Sequence, residues 1–134
     1  MSQEQVEIVR EHIEAVRSRD FPHALSFFDP HVVVDMARIG GPEEDAAFGP
    51  EGIADYMRRY AGTFEDYRYE VERLTNLGSG AVLATVTETG RGKGSGVPVT
   101  RSFAAPYTVI GATIARCTMF DTEQEALEAA GLSE

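Results

Sequence analysis

The chain has 134 residues, 43% of them hydrophobic, which suits one domain with its own apolar core. Its 22 acidic residues against 12 basic ones give a net charge of −10, a surface that repels phosphate backbones and anionic lipid and excludes nucleic-acid and membrane binding as primary roles. No run approaches the roughly 20 apolar residues a bilayer span needs, the opening MSQEQVEIVREH is too polar and acidic for a signal peptide, and the lone Cys117 allows no internal disulfide, so a cytoplasmic protein is expected.

In chain order, Ser2 and Gln5 have the spacing of a capping box, and Val6, Val9, Ile13 and Val16 then recur at three- and four-residue steps. This predicts an amphipathic helix ending near Arg19. Asp20 caps a second, shorter helix over residues 21–28, with Pro22 tolerated in its first turn, and Asp29-Pro30 breaks it. Residues 31–36 are β-branched and read as a strand. Residues 37–49 hold Gly40, Gly41, Pro42 and Gly49 and read as a loop, of a length often used as a pocket lid. Pro50 opens a third helix with Ile53, Tyr56, Met57 and Tyr60 on its apolar face, and Gly62 ends it.

Tyr67, Tyr69, Val71, Arg73 and Thr75 share one face of a half-solvated strand. Residues 81–121 then supply three long antiparallel strands, AVLATVTETGRGK, VPVTRSFAAPYTVI and TIARCTMFD, around which the chain is organised. Val82, Ala84 and Val86 oppose Leu83, Thr85 and Thr87, and neither face carries charge before Glu88. In the last strand Arg116 is the only charge before Asp121. Two nearly uncharged faces need two covers, the helices on one side and a partner chain on the other, so a homodimer through the sheet is expected. Pro98 and Pro106 remove ladder donors, and a bulge or edge is expected at Pro106. Thr122 with Glu125 repeats the capping-box spacing, and Gly131 stops the short helix that follows. The elements give an α+β fold in a single domain, residues 1–134.

The element order, the HIEAVRSRDFPHALSFFDPHVVV stretch, the GRGKGSG hairpin and the closing FDTEQEALEAAGL together resemble the SnoaL-like branch of the nuclear-transport-factor-2-like superfamily. The resemblance implies a cone-shaped barrel, in which a curved, mostly antiparallel sheet wraps around N-terminal helices and a short C-terminal helix follows. It also implies a pocket for a small apolar molecule and a tendency to dimerise. It is specific for fold and not for function, since the fold hosts isomerases, cyclases, dehydratases, epoxide hydrolases and binding modules.

The catalytic positions of such families can be followed residue by residue. The acidic and basic positions of limonene-epoxide-hydrolase-like members fall on Thr85, Thr87 and Thr118, and threonine cannot take a proton from water at neutral pH. The polyketide-cyclase aspartate also falls near Thr118. The ketosteroid-isomerase-like general base falls on Asp35 and the first oxyanion donor on His12, while the second donor falls close to Phe103 and is lost. Such a loss is worth roughly 3–4 kcal/mol in an oxyanion hole.

The resemblance therefore suggests cofactor-free proton transfer with Asp35 as base and His12 as polarising donor. The lining would be Tyr56, Tyr60, Thr87, Arg101, Phe103, Tyr107 and Thr118. Plainer readings stand beside it. His12 is also explained as a buried neutral imidazole bonded to a backbone carbonyl, and Asp35 as a cap for loop amides. An inward Arg101 requires a carboxylate, from Asp35 or from a ligand, whereas a rim position needs none. The spacing of His12, His23 and His31 suggests no metal site, and no cofactor is implied. The alternative to an enzyme is a non-catalytic ligand-binding or dimerisation module.

Overall fold

The computed structural model describes residues 2–36 and 46–131. Helices α1 (Ser2–Arg17) and α2 (Phe21–Leu25) lead into strand β1 (Phe28–Asp35). A short strand β2 (Ala46–Phe48) precedes helix α3 (Gly49–Ala61). Strands β3 (Phe64–Gly78), β4 (Ala81–Gly92), β5 (Pro98–Ile110) and β6 (Thr113–Thr118) follow, and helix α4 (Glu123–Ala129) ends the described chain. Most of the expected loop, residues 37–45, lies outside the described residues, as does the Ser2 side chain of the expected capping box. No helix among the described residues is long and apolar enough to cross a membrane.

The six strands form one sheet in the order β2-β1-β6-β5-β4-β3, with β1 and β6 parallel and every other pair antiparallel. The sheet does not close, so the barrel is open: β2 and β3 are its two edges. The α1 stripe seats Val6, Val9 and Ile13 in the core, and Ile53 and Ala54 do the same for α3. They meet the inner face of the sheet, where Val82, Ala84 and Val86 are fully buried. Each buried valine there contributes about 1.5–3 kcal/mol.

Several expectations are corrected. The second helix stops at Leu25, and Asp29-Pro30 lies inside β1 rather than before it. The β1–β6 register slips between Phe28 and Val33, so Pro30 falls where its missing N–H need not serve a regular ladder. The Asp29 carboxylate accepts the His31 N–H at 2.8 Å. Pro106 marks no bulge in β4–β5, where it pairs with Leu83 in unbroken register. Ala104 N–H donates across to Phe120, so by alternation Pro106 nitrogen faces the same side. There the ladder lapses between the Ala104↔Phe120 bridge and Tyr107↔Cys117, and the register slip comes later, between Thr108 and Val109. On β3 a bulge between Val71 and Arg73 shifts the phase by one. Leu74 therefore faces the core, while Arg73 turns outward and donates to both Glu123 oxygens at 2.6 Å.

The outer face of the sheet is covered at one end within the chain. Thr122 Oγ1 caps α4 by accepting the Glu125 N–H at 3.1 Å, and Ala126 packs on Leu83, Ala104 and Phe120.

The β3–β4 turn runs through Gly78, Ser79 and Gly80, all at positive φ. Gly80 O accepts the Val109 N–H at 2.7 Å, and a Cβ on Gly80 would stand 2.8 Å from Val109 O. Gly80→Ala is therefore expected to cost about 2 kcal/mol or more in urea unfolding, from left-handed strain plus the clash. Gly94→Ala, at φ +85 but with open space around it, should cost about half as much.

Candidate functional site

The helices seal the inner face of the sheet only in part. Beyond Ile13 the α1 stripe continues as half-buried Val16, and beyond Ala54 the α3 stripe continues as Tyr56, Met57 and Tyr60. These side chains border a cavity of about 90 Å³ whose far wall is the inner face of the strands. The space exceeds what one water needs but is well below the roughly 300–1,000 Å³ of pockets for drug-sized ligands.

One end of the cavity is polar. Glu88 continues the inward phase of Val82, Ala84 and Val86, and it is only 7% exposed. Its register neighbours are Tyr69 on β3 and Arg101 on β5. Tyr60 Oη donates to Glu88 Oε1 at 3.1 Å, and Tyr67 Oη donates to Oε2 at 2.5 Å. Arg101 Nε stands 3.9 Å from Oε1, close enough for an ion pair and too far for a hydrogen bond. Burial, reinforced by the Glu88 charge, raises the Tyr60 and Tyr67 hydroxyl pKa values, so both phenols remain protonated donors. The Arg19 guanidinium lies 5.6 Å from the Tyr67 ring centroid, at the same end.

The other end is formed by His12, Phe28, Tyr107 and Cys117. His12 Nδ1 lies 3.0 Å from Ala24 O. A carbonyl only accepts, so Nδ1 carries the proton and Nε2 of the neutral ring is an acceptor. Burial pushes the imidazole pKa down to about 4, partly offset by the Ala24 bond. The expected polarising donor is thus the buried neutral imidazole of the plainer reading. Tyr107 hydroxyl is within hydrogen-bonding reach of Tyr69 and Cys117, and burial pushes the Cys117 thiol up to about 12. That thiol is a core group with little thiolate character.

The structure brings together His12, Tyr56, Tyr60, Arg101, Phe103 and Tyr107 around the cavity. It does not bring Asp35, Thr87 or Thr118 there. Val34 lines the cavity, so the next residue of β1 points to the opposite face. On that outer face Asp35 pairs with Arg116 Nη2 at 3.0 Å. Thr118 is the register partner of Asp35, and Thr87 Oγ1 donates to Glu72 at 2.7 Å beside Ser102. Asp35 and His12 therefore do not share the cavity, and the carboxylate that answers Arg101 is Glu88. Sequence reasoning missed Glu88, Tyr67 and Arg19 as lining residues. The first two were legible as the inward phases of β4 and β3, whereas Arg19 follows α1 at a positive φ of 64° that no periodicity reports.

The open mixed sheet with helices across its inner face and a cavity between them defines the cone-like α+β class. Residues 9–117 match the SnoaL-like domain family, and the chain belongs to it. Among curated proteins no relative matches the sequence. Solved structures share the fold at low identity. One is a hypothetical protein of ketosteroid isomerase-like fold from Catenulispora acidiphila, in complex with trimethylamine (18% identity, 94% of this chain and 93% of that one, TM-score 0.72). A candidate polyketide cyclase from Xanthomonas campestris pv. campestris is 20% identical over 94% of this chain and 96% of that one, TM-score 0.71. TerC, co-crystallised with polyporic acid, is 15% identical over 96% and 97%, TM-score 0.74.

His12 generates a pH prediction. Below its ordinary pKa of 6.5 the unfolded chain takes up a proton that the folded chain refuses until about pH 4, so stability falls as pH drops through that window. The full loss is about 3 kcal/mol. Urea midpoints between pH 4.5 and 7 should therefore fall more steeply in the wild type than in His12→Gln, which cannot titrate. Equal slopes would remove the buried neutral imidazole.

Proposed function

We propose that the cavity binds a small, largely apolar molecule whose polar end meets Glu88, Tyr60, Tyr67 and Arg101. The observation that carries this reading is a hollow walled by aromatic and aliphatic side chains with one convergent polar cluster, the usual plan of a small-molecule site. Its size favours a guest of one ring or less, and a steroid-sized guest requires lining side chains to move. The solved relatives crystallised with trimethylamine and with polyporic acid support small-molecule binding on this fold.

Cofactor-free proton transfer of the isomerase or cyclase type is the second reading. One feature favours it: Glu88 is the carboxylate that lines the cavity among the described residues. Glu88, not Asp35, is then the base, since Asp35 faces the other side of the sheet against Arg116. Tyr60 and Tyr67 would hold the carboxylate in place, and Arg101 would face the charge that develops on the guest.

A second copy of the chain is proposed for the part of the outer face that α4 leaves open. Phe48 supports it, since it is 68% exposed and lies opposite Val33 on the face away from the cavity that Ala47 lines. Light scattering at micromolar concentration should give twice the chain mass; a monomer removes this proposal.

The binding role is tested with benzyl alcohol as a single-ring probe. Millimolar probe should raise the melting temperature of the wild type and shift tyrosine signals. Val16→Phe, which fills the cavity from α1, should remain folded and lose most of that response. A response unchanged by the filling would place the probe elsewhere.

A further inference from the structure

Among the described residues, the charges around the cavity do not cancel. Glu88 contributes one negative charge, while Arg101 and Arg19 contribute two positive ones. This local excess of positive charge stands out in a chain whose net charge is −10. The negative group is already engaged, since one Glu88 oxygen accepts from Tyr60 and the other from Tyr67. The positive group is only partly answered, by an ion pair to Glu88 that is not a hydrogen bond. Arg101 Nε is buried and has no hydrogen-bond partner among the described residues, and Glu88 is 0.4 Å beyond the 3.5 Å limit of such a bond at 3.9 Å. A buried guanidinium N–H without an acceptor is a standing demand for an oxygen. One of the tyrosine ring faces that could attract an ammonium guest is taken as well, by the Arg19 guanidinium over Tyr67.

Resting on the binding role proposed above, we infer that the guest is an anion: a short or single-ring apolar body bearing a carboxylate, or an acidic enol or phenol ionised at its oxygen. The anionic oxygen accepts from Arg101 and lies within the field of Arg19, and the apolar body lies along Tyr56, Met57 and Phe103. An amine would bring a third positive charge to a site whose one carboxylate among the described residues is already hydrogen-bonded at both oxygens.

Three probes of matched shape separate the possibilities at pH 7.5: benzoate, benzyl alcohol and benzylamine, titrated by calorimetry or NMR. In the wild type benzoate should bind about tenfold tighter than benzyl alcohol, with benzylamine weakest. Arg101→Gln should weaken benzoate by about tenfold and leave benzyl alcohol within about twofold, and Arg101→Lys should restore part of the loss. Glu88→Gln, which removes the opposing charge, should tighten benzoate. The wild-type series stands even if a variant fails to fold. Benzyl alcohol binding as tightly as benzoate, or benzylamine binding tightest, overturns the anion and leaves the cavity site intact. If none of the three binds the folded protein at millimolar concentration, the binding role falls with it.

Discussion

A carboxylate can sit inside an apolar shell only where donors meet it, and Glu88 imposes that condition on the inner side of this sheet. Its position is not negotiable. Strand β4 alternates strictly, so the residue two beyond Val86 must point inward. The neighbours that make this tolerable come from three different elements: Tyr60 from α3, Tyr67 from β3 and Arg101 from β5. The charge therefore fixes where the end of α3 lies against the edge strand, because displacing either tyrosine would leave a buried carboxylate oxygen without a partner.

The same aromatic residues keep the cavity from closing. Tyr60 stacks on Tyr56 at 5.9 Å between ring centroids and meets Tyr67 edge-on at 6.2 Å, while Phe64 stacks on Tyr67 at 5.7 Å. Rings braced against one another resist collapse in a way that isolated aliphatic side chains do not. Left unfilled, a hollow of about 90 Å³ forgoes at most about 2 kcal/mol relative to a filled core. That is a noticeable fraction of the stability of a small domain. A larger residue at Val16 or Ala47 would recover some of it, so small side chains at these lining positions keep the space open.

Sequence periodicity read the elements well because most of them obey one period each. The stripe of α1, the α3 face and the alternation of β4 all came through as expected, down to the parity that puts Arg101, Phe103 and Tyr107 on one side of β5. What failed was phase relative to the core. Asp35 follows three valines, and nothing local says whether the second or the first and third of them face inward. Only the parallel pairing to β6, with Val34 opposite Cys117 and Asp35 opposite Thr118, decides it. The β3 bulge is a failure of the same kind, since one extra residue exchanged Arg73 for Leu74. Glu88 itself was visible as the first charge on an otherwise uncharged face. Its significance depended on Tyr60 and Arg101 lying next to it, which is tertiary information.

Binding and proton transfer make nearly the same demand of this site, and the difference lies in what Glu88 is free to do. Each Glu88 oxygen already accepts from a phenol, so neither stands unpartnered toward a guest. The carboxylate meets a guest's proton directly only when the guest displaces one of those donors. Tyr60 is the more displaceable of the two, because its bond is the longer and it lies at the end of a helix. Arg101, by contrast, lines the cavity with a buried Nε that has no hydrogen-bond partner among the described residues. On the anion reading proposed above, a site of this form holds an acidic guest without displacing a donor from Glu88. It becomes an enzyme only for a guest that, on entering, takes Tyr60 away from Glu88.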